Sequence, residues 1–226
     1  MNCTALTTVS TSSNILTKLE QDAFVGCTSL DTITGFGNVT SVGNNCFKDC
    51  SSLSSIDIDV SKLTSIGNSA FQNTGAVLSG ALTFSECLSI GQNAFYNCHS
   101  ITELHFPKLT DVNQYYWWSH MDNLEVLDLP VATRLNSCGS LPKLTTINAP
   151  SATVFGSYNT LTVEGCPLLT TLNINFSAVT MIAGYAFKND SGLAGQYFEF
   201  PNVTVVSQAA FTDCGINFIF SNNSVV

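Results

Sequence analysis

The chain has 226 residues, 45% of them hydrophobic and 10% charged, which supplies apolar surface for a large core and excludes a disordered chain. Sixteen acidic residues against seven basic ones leave a formal charge of -9, a balance that argues against nucleic acid and anionic membrane as partners, since both require basic footprints. No run approaches the roughly 18 apolar residues of a membrane helix, and Met1 to Ser13 lack the basic start and apolar middle of a signal peptide, so a secreted protein would be a mature form or a fragment.

In chain order, the sequence keeps rewriting itself. Leu19 to Phe24, Val42 to Phe47, Ile66 to Phe71, Ile90 to Phe95, Ile182 to Phe187 and Val206 to Phe211 each place an aliphatic residue five positions before a Phe, and that Phe follows a small residue. The plainest copies are Ile66-Gly67-Asn68-Ser69-Ala70-Phe71 and Ile90-Gly91-Gln92-Asn93-Ala94-Phe95. Self-similarity at a near-constant period of 20 to 45 residues is the signature of a stacked-repeat architecture. Cys27, Cys50, Thr74 and Cys98 mark consecutive units at spacings of 23 and 24 residues, and Met121, Leu141, Cys166 and Asp190 continue them less evenly.

Each unit has two halves. The first reads Leu-x-x-Ile-x-Ile, as in Leu53 to Ile58, Leu144 to Ala149 and Leu169 to Ile174, and its end alternates apolar and polar with the period of a half-buried strand. Pro107, Pro130, Pro150 and Pro201 follow such segments and mark where a strand stops, because Pro cannot donate to a ladder. The second half is the Ile-Gly-x-x-Ala-Phe stretch, preceded by an apolar residue (Leu63, Leu109, Val179, Val203) and closed by turn-forming Asn, Asp, Gly and Ser. A unit this short cannot bury its own apolar face. Stacked units can, with every Leu, Ile and Phe on one side and the Phe in an internal stack.

The nine Cys follow the same logic. Cys3, Cys27, Cys50, Cys98 and Cys214 share a repeat position, Cys166 opens a later unit, Cys46 replaces the Ala of the Ala-Phe pair, and Cys87 stands where Leu63 and Leu109 stand. That is the placement of a small buried apolar residue. Cys3, Cys27 and Cys50 fall in consecutive units, so a disulfide among them stays open as an alternative.

Leu-x-x-Ile-x-Ile-Pro followed by Leu-x-x-Ile-Gly-x-x-Ala-Phe-x-x-Cys resembles the BspA-type, or Treponema-type, leucine-rich repeat, best at 50–73, 87–107 and 166–187. The resemblance implies a predominantly β repeat solenoid, right-handed and curved, with a parallel sheet on its concave side and roughly nine units. It implies one leucine-rich-repeat domain over 1–226, irregular across 112–165, where the second-half motif is lost, and cut or otherwise capped at both ends. It also implies an extracellular or cell-surface adhesion module with a host or cell-surface protein or glycan as partner.

On such a solenoid the residues between the buried strand positions face the concave side, and they form a ribbon of hydroxyls and carboxylates: Asp57, Thr83, Glu103, His105, Glu125, Asp128, Asn148, Asn173 and Glu199. This ribbon is the candidate ligand surface; the alternative is a sheet face kept polar for solubility. Tyr115 and Trp118, in the Tyr115-Tyr116-Trp117-Trp118 run, are candidate exposed aromatics for sugar stacking, whereas Trp117 aligns with Phe71 and reads as core. Catalysis finds no footing: His99, His105 and His120 are scattered, His105 reads as a solvated surface residue with an imidazole paired to a carboxylate of Glu103, Glu125 or Asp128 as the alternative, and no nucleophile elbow, zinc spacing or calcium loop occurs. No enzyme, no cofactor and no metal site are expected.

Overall fold

A computed structural model describes residues 3–12, 15–75, 77–112, 120–135, 138–155, 160–161 and 163–219. It is a parallel-strand β-solenoid of about 8 turns with almost no helix. The chain forms two compact units, Met1–Lys108 with Gln114–Met121, and Leu109–Asn113 with Asp122–Val226.

In the first unit the strands are β1 (Thr8–Ser10), β2 (Lys18–Leu19), β3 (Thr32–Thr34), β4 (Ser41–Val42), β5 (Ser55–Ile56), β6 (Ser65–Ile66), β7 (Gly80–Thr83), β8 (Ser89–Ile90) and β9 (Ile101–His105). Alternate strands build separate sheets, because each repeat contributes one strand from each half. First-half strands join as β1–β3–β5 and β7–β9, second-half strands as β2–β4–β6–β8. Every one of these pairings is parallel, and register couples equivalent residues: Leu19 with Val42, Val42 with Ile66, Ile66 with Ile90.

In the second unit the strands are β10 (Val126–Asp128), β11 (Arg134–Leu135), β12 (Thr146–Ala149), β13 (Val154–Phe155), β14 (Thr160–Leu161), β15 (Thr171–Ile174), β16 (Met181–Ile182), β17 (Tyr197–Glu199), β18 (Val205–Val206) and β19 (Asn217–Ile219). They pair as β10–β12–β15, β11–β13, β14–β16–β18 and β17–β19, again parallel. The stretch 112–165, expected to be irregular, therefore keeps second-half strands β11, β13 and β14 although the Ile-Gly-x-x-Ala-Phe motif is gone. Backbone rungs carry that pairing, and they need an extended chain rather than one particular side chain.

The core of the first unit is the internal Phe column. Rings of Phe24, Phe47, Phe71 and Phe95 stack at 5.4, 5.5 and 5.9 Å between centroids, with interplanar angles of 4°, 19° and 8°. Leu30, Ile33, Leu53, Leu63, Ile101 and Leu104 are wholly buried beside them. In the second unit Phe187 and Phe211 stack at 5.3 Å, while Phe176 packs on Phe198 and Phe200.

The turns on either side of each motif Phe use left-handed residues two positions before and two after it. Asn45 and Asp49 flank Phe47 at φ 52° and 61°, Ser69 and Asn73 flank Phe71 at 52° and 55°, and Tyr185 and Asn189 flank Phe187 at 63° and 64°. Asn and Asp tolerate this region best among non-glycine residues, which explains their density here. The glycines of the motif do something else. Gly67 and Gly91 make room for the backbone of the preceding turn, since a Cβ on either would lie 2.5 Å from the carbonyl carbon of Gly43 or Gly67 respectively.

Eight cysteines are buried and Cys3 is exposed; none forms a disulfide. Cys3 thus departs from the expectation that its repeat position is a buried one: no preceding turn among the described residues covers it. The buried thiols donate to backbone carbonyls, Cys50 to Phe24 at 3.1 Å, Cys98 to Phe71 at 3.1 Å and Cys166 to Cys138 at 3.2 Å. Burial pushes Cys50, Cys98 and Cys166 up to about 12 and Cys87 up to about 11, so these thiols are neutral and unreactive at neutral pH.

Candidate functional site

The first-half strands present their alternate side chains outward, and these are the candidate surface. In the first unit Thr8, Thr32 and Ser55 share one register row, and Ser10 with Thr34 another. Asp57, just past β5, is exposed, yet its carboxylate accepts from the backbone nitrogens of Gly35 at 2.6 Å and Phe36 at 2.7 Å. It clamps the turn of the preceding repeat, where Gly35 sits at φ 87°. Thr83 is exposed at the end of β7 and is register partner to His105 of β9. His105, expected to be solvated, instead places Nε2 2.9 Å from Oε2 of Glu103, because residues two apart on a strand share a face.

In the second unit the register row Asp128, Asn148 and Asn173 becomes a side-chain ladder. Asn148 Nδ2 donates to Asp128 Oδ1 at 2.6 Å, and Asn173 Nδ2 donates to Asn148 Oδ1 at 2.6 Å. Thr146 and Thr171 pair in the row beside it, on the same side of the sheet. Glu125 is exposed immediately before β10, and its carbonyl receives the amides of Thr145 and Thr146 and the Thr145 hydroxyl at 3.0 Å. Glu199 points outward from β17 with Ile219 as register partner, apart from the ladder. Tyr115 and Trp118 lie outside the described residues.

Two structural ladders escaped the sequence reading. A threonine hydroxyl donates to the carbonyl of the equivalent threonine one turn back: Thr64 to Thr40 at 3.0 Å, Thr133 to Thr110 at 3.0 Å, Thr204 to Thr180 at 3.3 Å. The signal was visible, since a Thr follows the apolar residue that opens most second halves, at Thr17, Thr40, Thr64, Thr110, Thr133, Thr153, Thr180 and Thr204. Leu88 occupies that place in one turn and is 61% exposed, while its amide still donates to Thr64 at 2.9 Å. Leu88→Thr should therefore add the missing rung and raise stability by about 0.5–1 kcal/mol; an unchanged or lowered urea midpoint would count against the ladder's contribution. The second ladder uses carboxamides. Asn44 Oδ1 accepts from the Asn68 amide and Asn68 Oδ1 from the Gln92 amide, both at 2.8 Å, while Asn97 Nδ2 donates to Asn73 Oδ1 and Asn73 Nδ2 to Asp49 Oδ1.

Electrostatically the surface is acidic, and several bases are already spent on acids of a neighbouring turn: Lys108 on Glu86 at 2.6 Å, Arg134 on Asp111 at 3.6 Å, Lys188 on Glu164 at 3.7 Å. The Asn45 and Gln21 amides hold Asp22 below the usual carboxylate range, and the Ser61 hydroxyl does the same for Asp59. Among the described residues, no group of three or more His, Cys, Asp or Glu could hold a metal ion, and no helix is long and apolar enough to cross a membrane. The arrangement offers an array of hydrogen-bond donors and acceptors at strand spacing.

The model of the BspA type leucine rich repeat region matches six copies, at residues 1–125, 78–194 and 137–226. Among solved structures, a leucine rich repeat protein of T. pallidum is 26% identical with a TM-score of 0.48, over 56% of this chain and 58% of that one. A leucine rich cell surface protein of Faecalibacterium prausnitzii is 19% identical with a TM-score of 0.45, over 98% of this chain and 75% of that one. A leucine-rich repeat protein of Bacteroides ovatus is 17% identical with a TM-score of 0.44, over 91% and 73%. No curated protein matches the chain. Matched along its whole length by the repeat model, and folded as the parallel two-strand-per-turn solenoid that its periodicity demands, the chain belongs to the BspA-type leucine-rich-repeat family.

Proposed function

We propose that the protein is a non-catalytic recognition module of a surface or secreted protein, binding a protein or glycan through the outward face of its first-half strands. The observation that carries this reading is the Asp128–Asn148–Asn173 row with Thr146 and Thr171 beside it, five polar side chains at strand spacing on one face. Stacked-repeat modules present extended faces of this kind to partners. Localisation at the cell surface follows from the same reading. A single domain over 1–226 belongs to it as well.

A second reading has its own support: the ladder amides bond to one another and Asp57 bonds to backbone, so part of the ribbon stiffens the stack. On that reading the chain is a rigid spacer. Thr146→Lys with Asn173→Lys separates the two, because both side chains point outward and neither fills the core. Against glycan arrays and matrix-protein pull-downs, recognition predicts at least a tenfold loss of whichever interaction the native chain shows, with unchanged far-UV circular dichroism. A native interaction that survives the double substitution undamaged would move the binding surface elsewhere, and no interaction at all would favour the spacer.

A further inference from the structure

Asp190 stands where most other turns carry a buried cysteine or threonine. It is 0% exposed and, with Thr74, one of two buried polar or charged residues among those described. At this position Cys98 and Cys166 send their S–H to a carbonyl of the preceding turn, and Thr74 sends its hydroxyl to Phe71 at 2.9 Å. Each is satisfied and uncharged. Asp190 differs: Oδ1 accepts from the Cys166 amide at 2.7 Å, and Oδ2 has neither solvent nor a hydrogen-bond partner. Among the described residues no cation compensates it. Lys188, two residues earlier, sends its ammonium toward Glu164 at 3.7 Å and over the Tyr185 ring at 4.9 Å. The groups on the preceding turn are the Cys166 thiol, which donates to Cys138, and Glu164, whose charge disfavours a second anion; Cys214, on the following turn, donates to Phe211.

We infer that Asp190 is a proton-operated latch: with its carboxyl neutral the turns around 163–193 close fully, and loss of that proton loosens them while leaving the first unit unaffected. An orphaned oxygen in a site built for a thiol is tolerable on a neutral acid and costly on an anion. Burial, then Glu164, pushes Asp190 up to about 7, while the Cys166 amide and, more weakly, the Gly165 amide pull the other way. The direction of the pH effect follows. Between the ordinary carboxylate range near 4 and about 7, the closed turns hold a proton that the opened turns have lost. Stability of the segment is therefore full at acidic pH, declines through that window and levels off above it. Within the window each pH unit multiplies the opening equilibrium about tenfold, as a single uncompensated proton requires. The Cys166 thiol on the preceding turn does not interfere, since burial pushes it up to about 12.

The test is amide hydrogen exchange on the full chain from pH 4.5 to 8, corrected for intrinsic exchange. Protection at Val163, Gly165 and Cys166 should fall by up to about tenfold per pH unit and then level, while Phe47 and Phe71 show no such trend. Asp190→Asn, which keeps the acceptor for Cys166, and Asp190→Cys, which restores the thiol, should both flatten the trend at 163–193. An equal slope in both variants, or the same slope at Phe47 and Phe71, overturns the inference. Carboxyl carbon NMR of the native chain gives a readout that needs no variant: an Asp190 titration midpoint near 4 would overturn it too.

Discussion

Phe71→Ala should destabilise the first unit by roughly 3–5 kcal/mol. Phe71 is 1% exposed and lies between two parallel neighbours, Phe47 at 5.5 Å and Phe95 at 5.9 Å. Removing the ring takes away its transfer free energy and opens a void that neither neighbour can fill, because each is fixed by its own backbone rungs. Phe47 donates its amide to Ala70 and Phe71 donates to Ala94, so the spacing of the column is set by the main chain. Collapse is blocked, and the cost belongs at the upper end of the cavity range. Urea unfolding followed by the exchange of Phe47 and Ala94 amides would measure it. A loss under about 1 kcal/mol would mean that the column is packing against something other than itself.

Gly67→Ala should cost about 1–3 kcal/mol or more, the range of overpacking where the neighbours are backbone and cannot swing aside. The new Cβ would lie 2.5 Å from the Gly43 carbonyl carbon and 2.7 Å from Asn44 Oδ1, and would press on the Asn44 backbone nitrogen. Those atoms are the rung itself: Gly67 donates to Val42 at 2.8 Å and Asn44 Oδ1 receives the Asn68 amide at 2.8 Å. Opening the gap enough for a methyl would lengthen both bonds. Gly67 is not among the residues at positive φ, so the penalty is purely one of contact. Gly37→Ala is the matched control, because a Cβ there meets only the Asp57 carbonyl at 3.6 Å, an ordinary contact. It should be neutral or stabilising by up to about 1 kcal/mol, through the lost flexibility of the unfolded chain. Midpoints that move equally for the two variants would contradict the close-approach account.

Periodicity alone determined the architecture of this protein. Residues recurring about every 23 positions had to meet equivalents one turn away, and the recurring ones were Leu, Ile and Phe, so the stacked core and the parallel pairing followed from burial. The outward placement of Asp57, Asp128, Asn148 and Asn173 was legible for the same reason, since side chains alternate along a strand. Tertiary structure decided what those groups do. Asp57 could not be known as a clamp on Gly35 and Phe36, nor Asp128, Asn148 and Asn173 as one ladder, because such bonds join residues 20 to 25 positions apart whose distance depends on the exact pitch of the coil. The same holds for Gly67, read from sequence as a turn residue and found to be a spacer between backbones. It holds most for Asp190, which sequence alignment placed in a repeat position without revealing that one of its oxygens is buried and unpartnered. Hydrophobic burial is non-directional and survives in a pattern; hydrogen bonding is directional and is settled only when the turns are stacked.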